Sequence, residues 1–282
     1  MYICKTKNHL INHLSSVKIQ NLSIGFVPTM GVLHLGHLSL IKASKRNNHV
    51  TVVSIFINPT QFNNKKDFTD YPLTIDQDIE LLKKEQCDVL FLPSVHEMYG
   101  NSIVAKCFNF EGLELEMEGK YRAGHFDGVS TIVKLLLEIV QPDVAYFGEK
   151  DFQQLQIIKK LVEKQQMSVQ IRGCPTHREE DGLAMSSRNL RLSKKQRSEA
   201  PFIYATLKKV THLFKEKPVG EIVLWVENQF QNNSFLKLEY FTIADATTLQ
   251  EISNKESAKK YRAFIAVFAG EVRLIDNIAL EA

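Results

Sequence analysis

The chain has 282 residues, of which 44% are hydrophobic and 24% are charged, and its formal net charge is +3. This length and composition allow a buried core of normal size, in one large domain or in a large domain with a smaller one, and they exclude a disordered chain. The basic pairs are scattered along the sequence, whereas a nucleic-acid-binding protein concentrates positive charge in a patch. We therefore expect no nucleic-acid partner.

Cysteine usage and hydropathy are typical of a protein of the reducing cytoplasm. Cys4, Cys87, Cys107 and Cys174 show no Cys-x-x-Cys spacing, which argues against a zinc site and against a disulfide framework. The N-terminal residues lack the apolar core of a signal peptide, and no apolar run has the length of a membrane span. We predict a cytoplasmic protein with no membrane association and no metal held by its own side chains.

Apolar runs alternate with amphipathic segments over the first 175 residues. The predicted strands are 24–28, 50–57, 88–92, 143–147 and 168–172, and the predicted helices are 37–47, 74–86, 128–140 and 152–165. This alternation predicts an α/β fold with a Rossmann-like, doubly wound parallel sheet. Such a sheet binds ligands beyond the carboxyl ends of its strands, where several polar motifs of this sequence lie.

The pattern changes after Cys174 and Pro175. Residues 193–232 read as mostly helical, and Ser193 is the predicted N-cap of the first helix there. Segments 236–243, 262–269 and 272–278 alternate as strands do, with a tight turn at 270–271. We therefore predict a Rossmann-like ligand-binding domain over 1–175 and a smaller C-terminal α+β lid domain over 176–282.

The strongest candidate for a ligand site is VPTMGVLHLGH at residues 27–37, where a buried strand is followed by the start of a helix. Gly31 permits a tight turn. His34-x-Gly36-His37 opens the helix, whose backbone N–H groups and dipole favour a phosphate at that end. The two imidazoles lie on the same side of the first turn. This arrangement predicts phosphate binding.

Two further strand ends carry polar side chains. Asn58 and Gln61 follow the next strand, and neutral amides suit a ligand that carries hydroxyl groups and a carboxylate. Lys150 follows strand 143–147, where an ammonium group can neutralise phosphate oxygens. Taken alone, each segment is also typical of a solvated turn.

Two loops complete the set of candidate segments. Arg122 and His125, in the run 118–129, carry side chains that can bind an anion. Ser186, Ser187 and Arg188 lie near the predicted domain junction and resemble the phosphate clamp of many ATP-using folds. The alternative for both loops is a polar surface loop, and it stays open for the run 118–129. For Ser186, Ser187 and Arg188, the His-x-Gly-His segment elsewhere in the sequence favours the phosphate-binding interpretation.

In combination, these motifs resemble the pantothenate synthetases, the family of ligases that join pantoate to β-alanine. The resemblance rests on PTMGVLHLGH (28–37), FINPTQF (56–62), RAGHFDGVSTIV (122–133), FGEKDFQQL (147–155), DGLAMSSRN (181–189) and RLIDN (273–277). It implies ATP as co-substrate, with Mg²⁺ carried on its phosphates, a pantoyl-adenylate intermediate, and AMP and pyrophosphate as products. It also implies a homodimer built from the larger domain, which would bind the nucleotide and pantoate.

The resemblance assigns residues to these roles. It implies His37 as the proton donor, and because negative charge must grow on the phosphate oxygens, His37, His34, Lys150 and Arg188 are the candidate catalytic residues that stabilise it. The implied ATP-binding residues are Met30, Gly31, Val32, Leu33, His34, Leu35, Gly36, His37, Gly148, Glu149, Lys150, Asp151, His177, Met185, Ser186, Ser187 and Arg188. The implied pantoate-binding residues are Gln61 and Gln154, and Gln61 is also expected to contact β-alanine. Asn58 and His125 are further candidates for pantoate binding from their positions in the motifs.

Three positions depart from the family pattern. Leu35 is apolar where the family often has a polar residue, Ala123 replaces a common proline, and His177 stands where the family usually has an apolar residue. None of the three is expected to touch the reacting groups, so the implied activity stands.

Two other functions share part of this pattern. A His-x-Gly-His nucleotidyltransferase that transfers AMP to another small substrate has no need of Gln61 and Gln154. An RNA-binding module like those of tRNA synthetases should show a basic face with aromatic stacking residues, and Trp225 is the only tryptophan.

Overall fold

A parallel sheet of six strands is the centre of the N-terminal part of the chain in this computed structural model, which describes residues 1–62, 68–69 and 71–281. The strands are β1 (Tyr2–Cys4), β2 (Ile24–Thr29), β3 (Val50–Ile55), β4 (Val89–Phe91), β5 (Val144–Gly148) and β6 (Gln170–Cys174). They lie in the order β1-β4-β3-β2-β5-β6, and neighbouring strands pair in parallel. The chain order reverses between β2 and β5, so the predicted doubly wound sheet is confirmed.

The described helices include those predicted at 37–47, 74–86, 128–140 and 152–165 and in the mostly helical run 193–232, together with others that the sequence did not predict. They are α1 (Lys7–Ile19), α2 (Leu35–Asn47), α3 (Ile75–Lys84), α4 (Val95–Tyr99), α5 (Met117–Tyr121), α6 (His125–Val140), α7 (Phe152–Lys164), α8 (Lys194–Glu199), α9 (Phe202–Glu216) and α10 (Val219–Gln231). Short 3-10 helices span Pro59–Gln61, Glu149–Asp151 and Ser187–Arg191. Over the described ranges, no helix is long and apolar enough to cross a membrane.

The first helix after β2 packs closely on the sheet. A Cβ atom on Gly25, in β2, would lie 2.1 Å from Ser44 Oγ in α2, so only glycine allows this approach. The buried Ser44 hydroxyl lies 2.8 Å from Thr51 Oγ1 in β3, which satisfies both hydroxyl groups at the contact. This contact joins the beginning of β2 to the last turn of α2.

A second sheet lies in the C-terminal part of the chain. It is antiparallel and consists of β7 (Leu236–Asp245), β8 (Tyr261–Ala269) and β9 (Val272–Leu280), in that order. The turn between β8 and β9 is at the predicted position, and Gly270 adopts a φ of +62° there. Ser193 caps α8 as predicted, because its Oγ accepts the backbone N–H of Gln196 at 3.3 Å.

The chain divides into two compact units. The first unit comprises Met1–Glu114, Glu118–Glu149 and Gln154–Pro175, and the second comprises Leu115–Met117, Lys150–Gln153 and the chain from Thr176 onward, in each case over the described residues. Separate domains over 1–175 and 176–282 remain a prediction.

Candidate active site

The turn from β2 to α2 has an unusual backbone. Gly31 has a φ of +84° and Val32 a φ of +52°, and a β-branched residue rarely adopts this left-handed conformation. Thr29 ties the turn to the neighbouring strand. Its hydroxyl donates to the carbonyl oxygen of Ser54 at 2.8 Å and accepts the Gly31 N–H at 3.2 Å. The predicted phosphate-binding segment therefore begins as a strained turn at the carboxyl end of the sheet.

A buried carboxylate from α3 supports this turn. Asp78 Oδ2 accepts the backbone N–H of Val32 at 2.9 Å, and its Oδ1 accepts that of Leu33 at 2.7 Å. Thr74 also donates to Oδ2, at 3.2 Å. No sequence motif marks Asp78, because an acidic residue in the first turn of a helix usually only complements the helix dipole.

His34 and His37 meet at the start of α2. His34 is the N-cap residue, and its backbone N–H donates to His37 Nδ1 at 3.4 Å. The two rings stack with centroids 4.0 Å apart and an interplanar angle of 30°. Since Nδ1 accepts this bond, a neutral His37 ring carries its proton on Nε2, and Nε2–H is a hydrogen-bond donor. The side chain of Leu35 is exposed on the same turn.

The segment after β3 is organised around Asn58. Its Nδ2 donates to Gln61 Oε1 at 3.3 Å, and its Oδ1 accepts bonds from the Tyr99 hydroxyl at 2.6 Å and the Thr60 hydroxyl at 3.1 Å. Burial raises the pKa of Tyr99, which keeps this hydroxyl protonated as a donor. Gln61 Nε2 lies 2.6 Å from Met30 Sδ. Asn58 is itself buried, so its amide orients Gln61 toward the β2–α2 turn.

Helix α6 supports the same segment from its first turn. His125 Nδ1 donates to the Gln61 carbonyl oxygen at 2.9 Å, since a carbonyl can only accept. The carbonyl oxygen of Gly128 accepts from Asn58 Nδ2 at 3.0 Å. A Cβ atom on Gly128 would lie 2.3 Å from the carbonyl oxygen of Thr60, so the helix and the segment are in direct backbone contact. His125 is buried beside Gln61 in this arrangement.

The segment predicted after strand 143–147 follows β5, which is the neighbour of β2 in the sheet. Strand β5 pairs with β2 in parallel and ends at Gly148, followed by Glu149. Ligands of doubly wound sheets bind in the crevice where the order reverses, beyond the strand ends. Gln154 lies in the first turn of α7 and is half-buried. The first unit therefore contains the residues predicted at the ends of β2 and β3, together with Gly148, Glu149 and Gln154.

The second unit contains the other predicted phosphate-binding residues. Lys150 and Asp151 form an ion pair, with Nζ 3.7 Å from Oδ1, and the Lys150 side chain is only 16% exposed. A small cleft of this unit has polar side chains from three segments on its walls. Its lining residues are Lys150, Leu183, Ala184, Ser186, Arg188, Asn189, Ile203, Arg273, Leu274, Ile275 and Asp276. Lys150, Ser186 and Arg188 thus border one cleft.

The loop that carries Arg188 is held by β9. Arg178 forms a bidentate ion pair with the buried Asp276, with distances of 2.6 Å and 2.9 Å, and its guanidinium lies 3.7 Å from the ring centroid of Tyr204. Asp276 belongs to the RLIDN segment, whose role the sequence left open. Bidentate pairs of this kind fix orientation as well as charge.

Hydrogen bonds to backbone groups fix the conformation of the predicted residues in that loop. The N–H of Met185 donates to the carbonyl oxygen of His177 at 3.0 Å, and the His177 side chain is exposed. Ser186 is the N-cap of the 3-10 helix that begins at Ser187, and its Oγ accepts the N–H of Arg188 at 3.3 Å. The Ser-Ser-Arg segment is therefore a structured turn.

Comparison with known proteins gives one family for the whole chain. Residues 2–279 match the sequence profile of the Pantoate-beta-alanine ligase family. The pantothenate synthetase of Christiangramia forsetii is 53% identical over 281 residues, which are 99% of each chain. That of Flavobacterium psychrophilum is 50% identical over the full length of both chains.

Solved structures give the same result. The crystal structure of pantothenate synthetase from Thermus thermophilus has a TM-score of 0.91 and 37% identity, covering 99% of each chain. Pantoate-beta-alanine ligase from Francisella tularensis, complexed with beta-gamma ATP and beta-alanine, has a TM-score of 0.81 and 37% identity, covering 99% of this chain and 97% of that chain. The chain is an enzyme that belongs to the pantoate-beta-alanine ligase family.

Proposed function

We propose that this ligase joins pantoate to β-alanine in two steps, using ATP and forming pantoyl adenylate as the intermediate. The family assignment supports the overall reaction, and the Francisella tularensis relative is complexed with an ATP species and β-alanine. The observation that carries the two-step course is the start of α2, where a helix N-terminus and the Nε2–H of His37 form a donor set for a phosphate.

In the first step, a carboxylate oxygen of pantoate attacks the α-phosphorus of ATP, and the bond from this phosphorus to the bridging oxygen of the leaving pyrophosphate breaks. Negative charge grows on the phosphate oxygens, so donors that are already oriented lower the barrier most. His34, His37, Lys150 and Arg188 are the residues we assign to this task. Holding both anions in line contributes several kcal/mol more, on the order of what orientation supplies in general.

Pantoate is assigned to the segment around Gln61. Its side-chain amide is held by Asn58 and its backbone carbonyl by His125, so it presents a fixed donor and acceptor. Because Asn58 and His125 are buried and bonded to this segment, we assign them to orienting Gln61. Gln154, half-buried at the start of α7, is assigned to the same substrate.

In the second step, the amine of β-alanine attacks the acyl carbon of pantoyl adenylate, and AMP leaves with the electrons of the acyl–oxygen bond. Gln61 is assigned to β-alanine as well. The mixed anhydride must meanwhile be protected from water, and we assign this protection to residues 176–282.

Mg²⁺ is proposed to enter as part of the ATP substrate. In the described part of the chain, no three His, Cys, Asp or Glu side chains cluster as a set of metal ligands. Mg²⁺ on a nucleotide is typically held by phosphate oxygens and water with one or two carboxylates, so such a cluster is not required.

A homodimer built from residues 1–175 remains a prediction of the resemblance. Sedimentation velocity of the purified protein tests it directly: a species of twice the 32.3 kDa chain mass is expected. A monomer at micromolar concentration would contradict it.

The test of the two-step course is ATP–pyrophosphate exchange. Radiolabelled pyrophosphate should enter ATP when pantoate is present and β-alanine is absent, because the adenylate forms reversibly in the first step. Omitting pantoate is the control and should abolish exchange. Exchange that requires β-alanine would show that no discrete adenylate forms.

A further inference from the structure

The β2–α2 turn already holds an anion that belongs to the protein. The two carboxylate oxygens of Asp78 accept the consecutive N–H groups of Val32 and Leu33, at 2.9 Å and 2.7 Å. Successive N–H groups in a turn of this kind form a concave anion-binding site. The side chain of Asp78 is almost wholly buried, at 1% exposure. In this turn, the position that a phosphate would take in a glycine-rich loop is therefore filled by a carboxylate.

The same contact explains how the strained backbone is maintained. Val32 has a left-handed φ of +52°, which brings its N–H and that of Leu33 to the same side. A β-branched residue keeps this conformation only where the surroundings require it. A Cβ atom on Gly31 would lie 3.1 Å from Asp78 Oδ2, so the carboxylate sits directly against the turn.

The next residue of the turn, His34, contacts the ring of His37 through its backbone N–H. The N–H of His34 follows directly on those bound by Asp78, and it donates to His37 Nδ1 at 3.4 Å. A rotation of the turn would move this N–H away from Nδ1. The hydrogen bond that keeps the ring proton of His37 on Nε2 would then be lost. The N–H groups of Val32, Leu33 and His34 are therefore consecutive, the first two bound to Asp78 and the third to His37.

We infer that Asp78 is the positioning residue of the His-x-Gly-His segment: its buried carboxylate fixes the β2–α2 turn and thereby the ring orientation and tautomer of His37. A corollary is that the N–H groups of Val32 and Leu33 face the protein, so donors to ATP begin at α2. The expected effect on kcat/KM for ATP rests on the proposed function. The expected effect on the orientation and tautomer of the His37 ring does not.

The test uses Asp78→Asn, which keeps the side-chain shape but replaces one acceptor oxygen with an N–H donor that faces another donor. Asp76→Asn is the matched control, because Asp76 lies in the same first turn of α3 but is exposed. Two measurements are made on the full-length protein. They are the ¹⁵N chemical shifts of the His37 ring in the ligand-free protein, and kcat/KM for ATP in pyrophosphate exchange.

For Asp78→Asn we expect the His37 Nδ1 and Nε2 shifts to move toward averaged tautomers, and kcat/KM for ATP to fall at least about tenfold, the loss typical of one misplaced charge-stabilising donor. Asp76→Asn should leave the shifts unchanged and kcat/KM within about twofold, as expected for an exposed surface charge. Unchanged His37 shifts in folded Asp78→Asn would overturn the inference, as would equal effects of the two variants. Moved shifts with unchanged exchange would count against the phosphate role of His37 instead.

If Asp78→Asn does not fold, Thr74→Val provides the same test in a milder form. It removes only the 3.2 Å bond from the Thr74 hydroxyl to Asp78 Oδ2. A smaller shift of the His37 signals in the same direction supports the role of Asp78, and identical signals overturn it.

Discussion

The side-chain amide of Asn277 donates a hydrogen bond of 2.8 Å to the backbone carbonyl oxygen of Lys150. The other end of the same amide accepts a bond from Arg262, whose guanidinium lies 3.9 Å from the ring centroid of Phe152. The neighbouring Asp276 binds Arg178. Consecutive residues of β9 therefore hold the Lys150 turn and the loop that leads to Arg188, which gives the RLIDN segment a physical role in the second unit.

Replacing Asn277 by alanine should lower the rate of pantoyl-adenylate formation about tenfold, equivalent to about 1.4 kcal/mol, the typical value of one hydrogen bond. Adenylate formation is measured by quenched single turnover, and the exposed Asn254→Ala variant is the control. If Asn277 acts through Lys150, the loss in a double variant with Lys150→Ala should be smaller than the sum of the two separate losses in free energy. Additive losses would show that Asn277 acts elsewhere.

Replacing His37 by alanine should lower the adenylation rate by about 10²–10³-fold, the usual effect of removing one oriented charge-stabilising group. The melting temperature should change little, because His37 lies in the first turn of α2 and outside the apolar core. His212→Ala, an exposed histidine of α9, is the matched control and should keep full activity. An unchanged single-turnover rate in His37→Ala would contradict the role assigned to it.

Much of the fold was predictable because the strands and helices of the first unit carry clear periodicity. The runs that became β2 and β3 are buried and apolar, and α6 has a continuous buried face. The N-terminal elements β1 and α1 were not predicted. Helix α1 buries only Leu10 and Leu14, so its apolar pattern is too sparse to distinguish it from a surface segment.

The motifs of the candidate site were predictable from the sequence, but the residues that hold those motifs in position were not. His34, His37 and Gln61 stand in patterns that a single sequence shows. Asp78 does not, because its partners lie about 45 residues earlier and meet it only through the parallel pairing of β2 with β3 and of β3 with β4. The contact of Asn277 with Lys150 joins residues 127 positions apart, which local sequence patterns do not contain.

The four cysteines should differ sharply in reactivity. Cys107 is exposed, whereas Cys4, Cys87 and Cys174 are buried. Burial raises the pKa of all three buried thiols, to about 12 for Cys87. The thiolate is the reactive form, so at pH 8 a disulfide reagent should modify one thiol of the native protein rapidly. Cys107→Ser should remove this rapid phase, and unfolding in guanidinium should expose the remaining thiols. Rapid reaction of two thiols in the native state would contradict the burial.

The raised pKa of Cys87 also predicts a loss of stability at alkaline pH. In the unfolded chain this thiol ionises from its ordinary value of 9.0, whereas in the folded protein it stays neutral to about 12. Its contribution to the free energy of unfolding is therefore complete below pH 9 and declines as the pH rises toward 12. Denaturant melts of Cys87→Ala and of the unmodified protein should show a shallower decline for the variant across this range.

The contact between α6 and the Gln61 segment should tolerate no side chain at position 128. In an open helical position, glycine to alanine stabilises a protein by about 0.4–1 kcal/mol. At Gly128, however, the added Cβ would lie 2.3 Å from the Thr60 carbonyl oxygen and 2.8 Å from the Gln61 backbone nitrogen. The helix and the segment must then move apart, which displaces Gln61 and strains its bond with His125. Gly128→Ala should therefore raise the KM for pantoate about tenfold or more, the scale of one misplaced polar contact, while the KM for ATP changes less.

Gly220→Ala is the matched control for this variant. Gly220 lies in the first turn of α10, and apart from its chain neighbours and the backbone of its own helix, no described atom lies within 4 Å of where its Cβ would stand. This variant should keep the KM for pantoate and the melting temperature of the unmodified protein, or melt slightly higher. Steady-state kinetics with pantoate and ATP varied in turn, together with thermal melts, distinguish the two variants. An unchanged KM for pantoate in folded Gly128→Ala would show that the position of Gln61 does not depend on α6, and that Gln61 either adapts to the displaced helix or does not bind pantoate.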